Sequence, residues 1–113
     1  MSLKFSKVEK DDKITLSVEG RIISSNAMLL ENELNEALKF THIELDMAGV
    51  PFITSTVIRT LLLILQEAED MKKIFRVINP QHPVIRIIGL ANLEDLMSPY
   101  DYEQARAIGE KNG

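Results

Sequence analysis

Cysteine and tryptophan are absent from the 113 residues. Without cysteine there is no disulfide, no thiolate zinc site and no thiol nucleophile, so burial alone must hold the fold. Glycine occurs five times and always singly. Neither the spaced glycines of a dinucleotide-binding turn nor a phosphate-cradling Walker loop is therefore present. His42 and His82 stand apart without metal-ligand spacing, and no cofactor is expected. Aromatic residues make up 5% of the chain and the net charge is −4, with no basic stripe. Base stacking and phosphate neutralisation lack a footing, which excludes nucleic acid as a partner. The longest uninterrupted apolar run, Leu61–Leu65, falls far short of the ~20 residues of a membrane span, so direct membrane insertion is excluded. No basic stretch followed by an apolar one opens the chain, and together with the missing cysteine this points to the cytoplasm.

What is present is patterned. The length predicts a single domain over 1–113. "LKFSKVEK" and "KITLSVEG" both alternate apolar with polar residues around the polar turn "EKDDK", as an antiparallel hairpin does. "SSNA" offers Ser24, Ser25 and Asn26 as helix N-caps. Ala27, Leu30, Leu34, Ala37 and Leu38 then recur at helical spacing to about Lys39. "HIELDMAG" alternates again and ends at Gly49. A second helix is predicted from Ser55 to Lys73, with Val57, Leu61, Ile64, Leu65, Ala68 and Met71 on one face and Leu63 on the opposite side. "IFRVINP" reads as a strand, "HPVIRIIGL" as a short helix with Pro83 in its first turn, and "DYEQARAIGE" as a last helix. The order β-β-α-β-α-β-α-α predicts an α/β fold with a mixed sheet of four to five strands, an N-terminal antiparallel hairpin and helices mainly on one face.

The stretch "GVPFITSTVIRTLLLIL" (49–65) holds the chemistry worth weighing. Thr54, Ser55 and Thr56 fall between a short apolar segment and a long apolar helix, where hydroxyl side chains are good N-caps. No nucleophile-elbow glycines flank Ser55, so a hydrolase triad is unsupported. Glu44 and Asp46 share a strand face, but that spacing describes the solvated side of a strand rather than an acid/base pair. An enzyme is not expected.

Three stretches, "VEGRIISSNA", "IELDMAGVPFITSTVIRTLLLILQEAEDMKK" and "INPQHPVIRIIGLANLEDLM", resemble the STAS domains of bacterial anti-sigma factor antagonists. The family pattern has Gly-x-Leu/Ile-Asp at a first site, Asp-Ser-Ser-Gly-Leu after the third strand, then an Asn/Ser-Pro loop and a Gly-Leu. Gly20, Asp46 with Gly49, Phe52-Ile53, Asn79-Pro80 and Gly89-Leu90 correspond. The resemblance implies a non-catalytic module in partner-switching regulation of transcription. It docks onto a protein partner, an anti-sigma factor with serine/threonine kinase activity, and is released when a hydroxyl is phosphorylated. That hydroxyl falls on Thr56, with Ser55 as the alternative. The implied docking surface comprises Ile23, Ser24, Thr54, Ser55, Thr56, Val57, Arg59 and Leu63, and a homodimer is compatible with the sequence. Three positions depart from the pattern: Thr54 and Ile23 replace acids, and Val57 replaces a glycine. A STAS-type ligand-binding or transport-accessory role beside a membrane transporter is the alternative reading, because it requires no phosphosite.

Overall fold

Alternation of apolar and polar residues along 14–18 and 43–47 settles which face of the sheet is covered. The computed structural model describes residues 3–91. Over them the order is β1 (Lys4–Lys10), β2 (Lys13–Glu19), α1 (Ala27–Ala37), β3 (His42–Gly49), α2 (Ser55–Asp70), β4 (Ile74–Ile78) and α3 (His82–Leu90). Ile14, Leu16 and Val18 of β2, Ile43, Leu45 and Met47 of β3, and Phe75 and Val77 of β4 are all buried. Successive strand side chains point to opposite faces, so these eight line one face. Leu30 and Leu34 of α1, Leu61 and Ile64 of α2, and Val84 and Ile88 of α3 join them in one core. Complete burial of such a side chain stabilises by about 1.5–3 kcal/mol.

The strands lie in the order β1-β2-β3-β4. β1 and β2 are antiparallel, with Lys10 opposite Lys13 across a two-residue turn. Asp11 takes a left-handed φ of 57° there, which a short polar side chain tolerates. β2–β3 and β3–β4 are parallel, each joined through a helix as parallel neighbours require. The expected hairpin, mixed sheet and covered face are thus observed, with four strands among the described residues. The predicted helix over 101–110 lies outside them.

Two joints fix the sheet to its connections. Asp12, in the hairpin turn, accepts through its backbone oxygen from the amides of Thr41 (3.1 Å) and His42 (3.2 Å). Its carboxylate also accepts from the Thr41 hydroxyl. On β1, Lys7 reaches across to Glu33 of α1 at 2.7 Å and, more loosely, to Glu36 at 3.9 Å. The hydrogen bond that Lys7 donates to the Glu33 carboxylate holds its ammonium above the ordinary pKa, the neighbouring carboxylates adding to it.

Helix ends depart from the sequence expectation in an informative way. α2 stops at Asp70 rather than Lys73. The amide of Lys72 donates to Glu69 and that of Lys73 to Ala68 at 2.7 Å. Lys72 itself has φ 59°. This is the double-bonded C-terminal motif that usually has glycine at its left-handed position. α1 likewise ends at Ala37, after which Lys39 and Phe40 donate three residues back, to Glu36 and Ala37.

Candidate functional site

Beyond the ends of β2 and β3 the two connecting loops are zipped together. The amide of Gly20 donates to Gly49 at 3.0 Å, that of Ile22 to Phe52 at 3.1 Å, and that of Thr54 to Ile22 at 3.1 Å. Ile22 and Ile53 form an isolated parallel bridge, and both are completely buried. Backbone pairing thereby carries the sheet's order past its last regular rung and sets where α2 begins.

Asn26 fixes the other side of the loop. It is buried, its Oδ1 accepts from the amide of Ile23 at 2.8 Å, and its Nδ2 donates to the carbonyl of Arg21 at 3.0 Å. Sequence reasoning takes this residue as an N-cap. It does hold that position on α1, but its side chain makes no capping bond to the helix. Folding back instead satisfies two loop groups that would otherwise be unpaired, which matters more at a buried position than one orphan amide.

The hydroxyl triplet divides in the same unexpected manner. Thr54 is the N-cap of α2, in extended conformation (φ −98°, ψ 169°), yet its side chain does not bond to the helix. Its backbone carbonyl accepts from Val57 at 3.0 Å, while Oγ1 is buried without a hydrogen-bond partner. Ser55 and Thr56 are exposed on the first turn. The triplet therefore presents two hydroxyls to solvent and turns the third inward.

Around them the expected surface separates by burial. Ser24 and Arg59 are exposed, Ile23 is half-buried, and Leu63 keeps 44% of its surface on the outer side of α2. Val57 corrects the sequence reading: it is completely buried and cannot contact a partner. Helical spacing places it with Leu61 and Ile64 on the inward stripe, so this valine adds core rather than surface. Ile58 and Leu62 are half-buried and pack against the core. The charged side chains two residues before Ile23 and five after Thr54, Arg21 and Arg59, are both cationic and exposed. Ser55 and Arg59, four residues apart, share one face of α2.

Potential metal ligands are scattered among the described residues. No group of three or more potential ligands gathers in them. His42 lies 3.8 Å from Glu44, which itself pairs with Lys13 at 3.1 Å and accepts from the Thr15 hydroxyl at 3.3 Å. These groups sit on the uncovered face of the sheet, away from the hydroxyl pair. No helix among the described residues is long and apolar enough to cross a membrane.

Residues that the sequence does not place on the docking surface also border the site. Phe52 projects from the β3–α2 loop beneath the Arg21 guanidinium, 5.3 Å from its ring centre. Ile87 and Leu90 of α3 line hollows shared with it. Three separate chain segments contribute, so no single periodicity could reveal them.

With this geometry in place, the chain can be set beside known proteins. The family model of the STAS domain matches residues 4–105, and the chain belongs to the STAS domain family. Its fold is similar to that of the anti-sigma factor antagonist SpoIIAA in its unphosphorylated form, at 15% identity and a TM-score of 0.73, covering 94% of this chain and 97% of that one. An anti-sigma factor antagonist from Mycobacterium paratuberculosis is 21% identical with a TM-score of 0.77, covering 94% and 93%. The Bacillus cell fate determinant SpoIIAA in its phosphorylated form is 14% identical with a TM-score of 0.68, covering 84% and 89%.

Proposed function

We propose that this chain is a non-catalytic protein-interaction module that acts by partner switching in transcriptional regulation, in the manner of an anti-sigma factor antagonist. The observation that carries the reading is the exposed Ser55–Thr56 pair at the first turn of the 16-residue helix α2, presented by a zipped loop. A phosphate added there meets the orphan amides and positive end of a helix and is stable. It also adds ~1.5–2 negative charges to a docking surface whose own charged side chain, Arg59, is cationic. The similarity to a protein that exists in unphosphorylated and phosphorylated forms supports the comparison.

Thr56 is the candidate phosphorylation site, with Ser55 as the alternative. The two positions without acids, Ile23 and Thr54, remove the charges that a kinase of the usual specificity would read. That favours constitutive binding to the partner over a phosphorylation switch. Phosphate-affinity gels from native cells test this directly: a single band, unchanged by Thr56→Ala, is expected. A slower band that vanishes in Thr56→Ala and persists in Ser55→Ala overturns constitutive binding and places the switch at Thr56. Pull-down with wild type and Thr56→Glu tests the module itself. One partner recovered by wild type and lost by Thr56→Glu supports it, whereas turnover by rigorously purified protein would overturn the non-catalytic reading.

A further inference from the structure

Immediately beside the hydroxyl pair, α3 and the β3–α2 loop leave an apolar groove. Two adjoining hollows of about 550 Å³ and 560 Å³ share Phe52, Ile87 and Leu90. The first is bounded by Pro83, and the second extends along Ile58 to Ser55. Leu90 keeps 68% of its surface and Phe52 37%. Apolar side chains left open together in a concave surface mark a binding site more often than isolated exposed ones do.

Among the described residues the charges around this groove have one sign. Arg86 lines the first hollow, Arg21 lies over the Phe52 ring, and Arg59 follows Ser55 by one helical turn. Among the described residues none of the three arginines forms an ion pair, whereas Lys7 and Lys13 each meet a carboxylate. Among the described residues no aspartate or glutamate lines either hollow. In a chain of net charge −4 this is a local inversion of sign.

We propose that the groove between the start of α2 and α3 seats a segment of a protein partner that carries apolar anchors flanked by aspartate or glutamate. The proposal rests on the reading of the chain as a protein-binding module and specifies the chemistry of what it binds. Apolar anchors would fill the hollows, where exclusion of water strengthens the surrounding electrostatics. Carboxylates beside them would meet guanidinium forks, which bind carboxylate in a two-point geometry that lysine does not match. Cations around the groove would also speed the encounter with an acidic partner. Arginines spaced singly around an apolar hollow fit a shaped peptide better than a lipid surface, which is read by clusters of juxtaposed basic residues.

Selection of a random peptide library on the full chain, with counter-selection on a Leu90→Ser/Arg86→Glu double variant, tests the proposal. Enriched peptides should combine leucine or aromatic residues with aspartate or glutamate. Synthetic copies should shift the methyl resonances of Ile87 and Leu90 and bind the double variant at least about tenfold more weakly, a difference of ~1.4 kcal/mol. A single Arg86→Glu variant, whose exposed side chain bears no core contact, should fold normally and show most of the electrostatic part of that loss. The proposal is overturned if enriched peptides are neutral or basic, or if none distinguishes wild type from the double variant. It also falls if methyl contacts in the full chain show residues 92–113 filling the groove, if Leu90→Ser abolishes a self-associated dimer, or if only phosphatidylglycerol vesicles bind. A native partner that binds the double variant as tightly as wild type defeats the groove and leaves the binding-module reading intact. Peptides held at the groove without any native partner do the reverse.

Discussion

Ile22 and Ile53 form a parallel bridge beyond the last regular pairing of β2 with β3, and both side chains are completely buried. The bridge makes the two loops one unit: moving either changes the point at which α2 starts and so the direction of Ser55 and Thr56. Rigid presentation of two exposed hydroxyls is therefore a property of the core, not of the loop alone.

Asn26 acts on the same loop from the other side. Replacing it with aspartate preserves an acceptor but removes the Nδ2 donor and sets a carboxylate against the Arg21 carbonyl. Aspartate and asparagine are equally good N-caps, so a capping role predicts no change. The bonds to Ile23 and Arg21 predict a loss of ~1–3 kcal/mol. Urea unfolding of Asn26→Asp distinguishes the two.

Thr54→Val is expected to leave stability unchanged or raise it by up to ~1 kcal/mol. The substitution keeps the shape and removes a hydroxyl that is buried without a partner, whose desolvation is otherwise uncompensated. A loss near 1 kcal/mol, the usual cost of deleting a cap, would mean that the hydroxyl does bond to the helix in solution. Thermal melts and urea midpoints measured side by side answer this.

Lys72→Gly should stabilise the protein by ~0.5–1 kcal/mol. Lys72 holds a left-handed φ of 59° at the end of α2, a conformation that costs a side-chain-bearing residue more than glycine. A higher urea midpoint with an unchanged slope is the expected result; a lower midpoint would show that the greater freedom of the unfolded glycine chain dominates.

Gly49→Ala should destabilise by ~1–3 kcal/mol through overpacking. A methyl group there would stand 2.7 Å from Glu19 Cγ and 3.2 Å from both Glu19 Cα and the Val18 carbonyl oxygen. The side-chain carbon can yield, but the two backbone atoms are held by pairing with β3. Melting temperatures of Gly49→Ala and the double variant Gly49→Ala/Glu19→Ala separate the contributions: only partial recovery is expected in the second.

Leu63→Lys is expected to change stability by no more than ~0.5 kcal/mol, as for surface substitutions generally, and to weaken binding of the native partner. Leu63 lies on the outer side of α2 with 44% of its surface open. A fall in melting temperature of many degrees would identify it as core. Unchanged partner affinity would remove it from the docking surface.

Much of this architecture was legible in the sequence because local patterns report directly on burial. Alternation over 14–18 and 43–47 marked the sheet's inward face, and helical spacing from Val57 to Ala68 marked the inward stripe of α2, whereas Met71, expected on the same stripe, lies past the end of the helix and is exposed. Both hold in the structure, since a strand or helix has only one way to bury a side whose residues recur at its own period. The exposed position of Leu63 followed from the same arithmetic. What residue types alone could not decide was where polar side chains point. Thr54 and Asn26 have the chemistry of caps, yet one hydroxyl turns into the interior and the other side chain folds back onto the loop. Their directions are set by the Ile22–Ile53 bridge and by the demand that buried loop amides and carbonyls be paired, which depends on residues far apart in the chain. Only tertiary packing could bring Phe52, Ile87 and Leu90 together beside Arg21 and Arg86, because proximity between three separate segments leaves no period in any one of them.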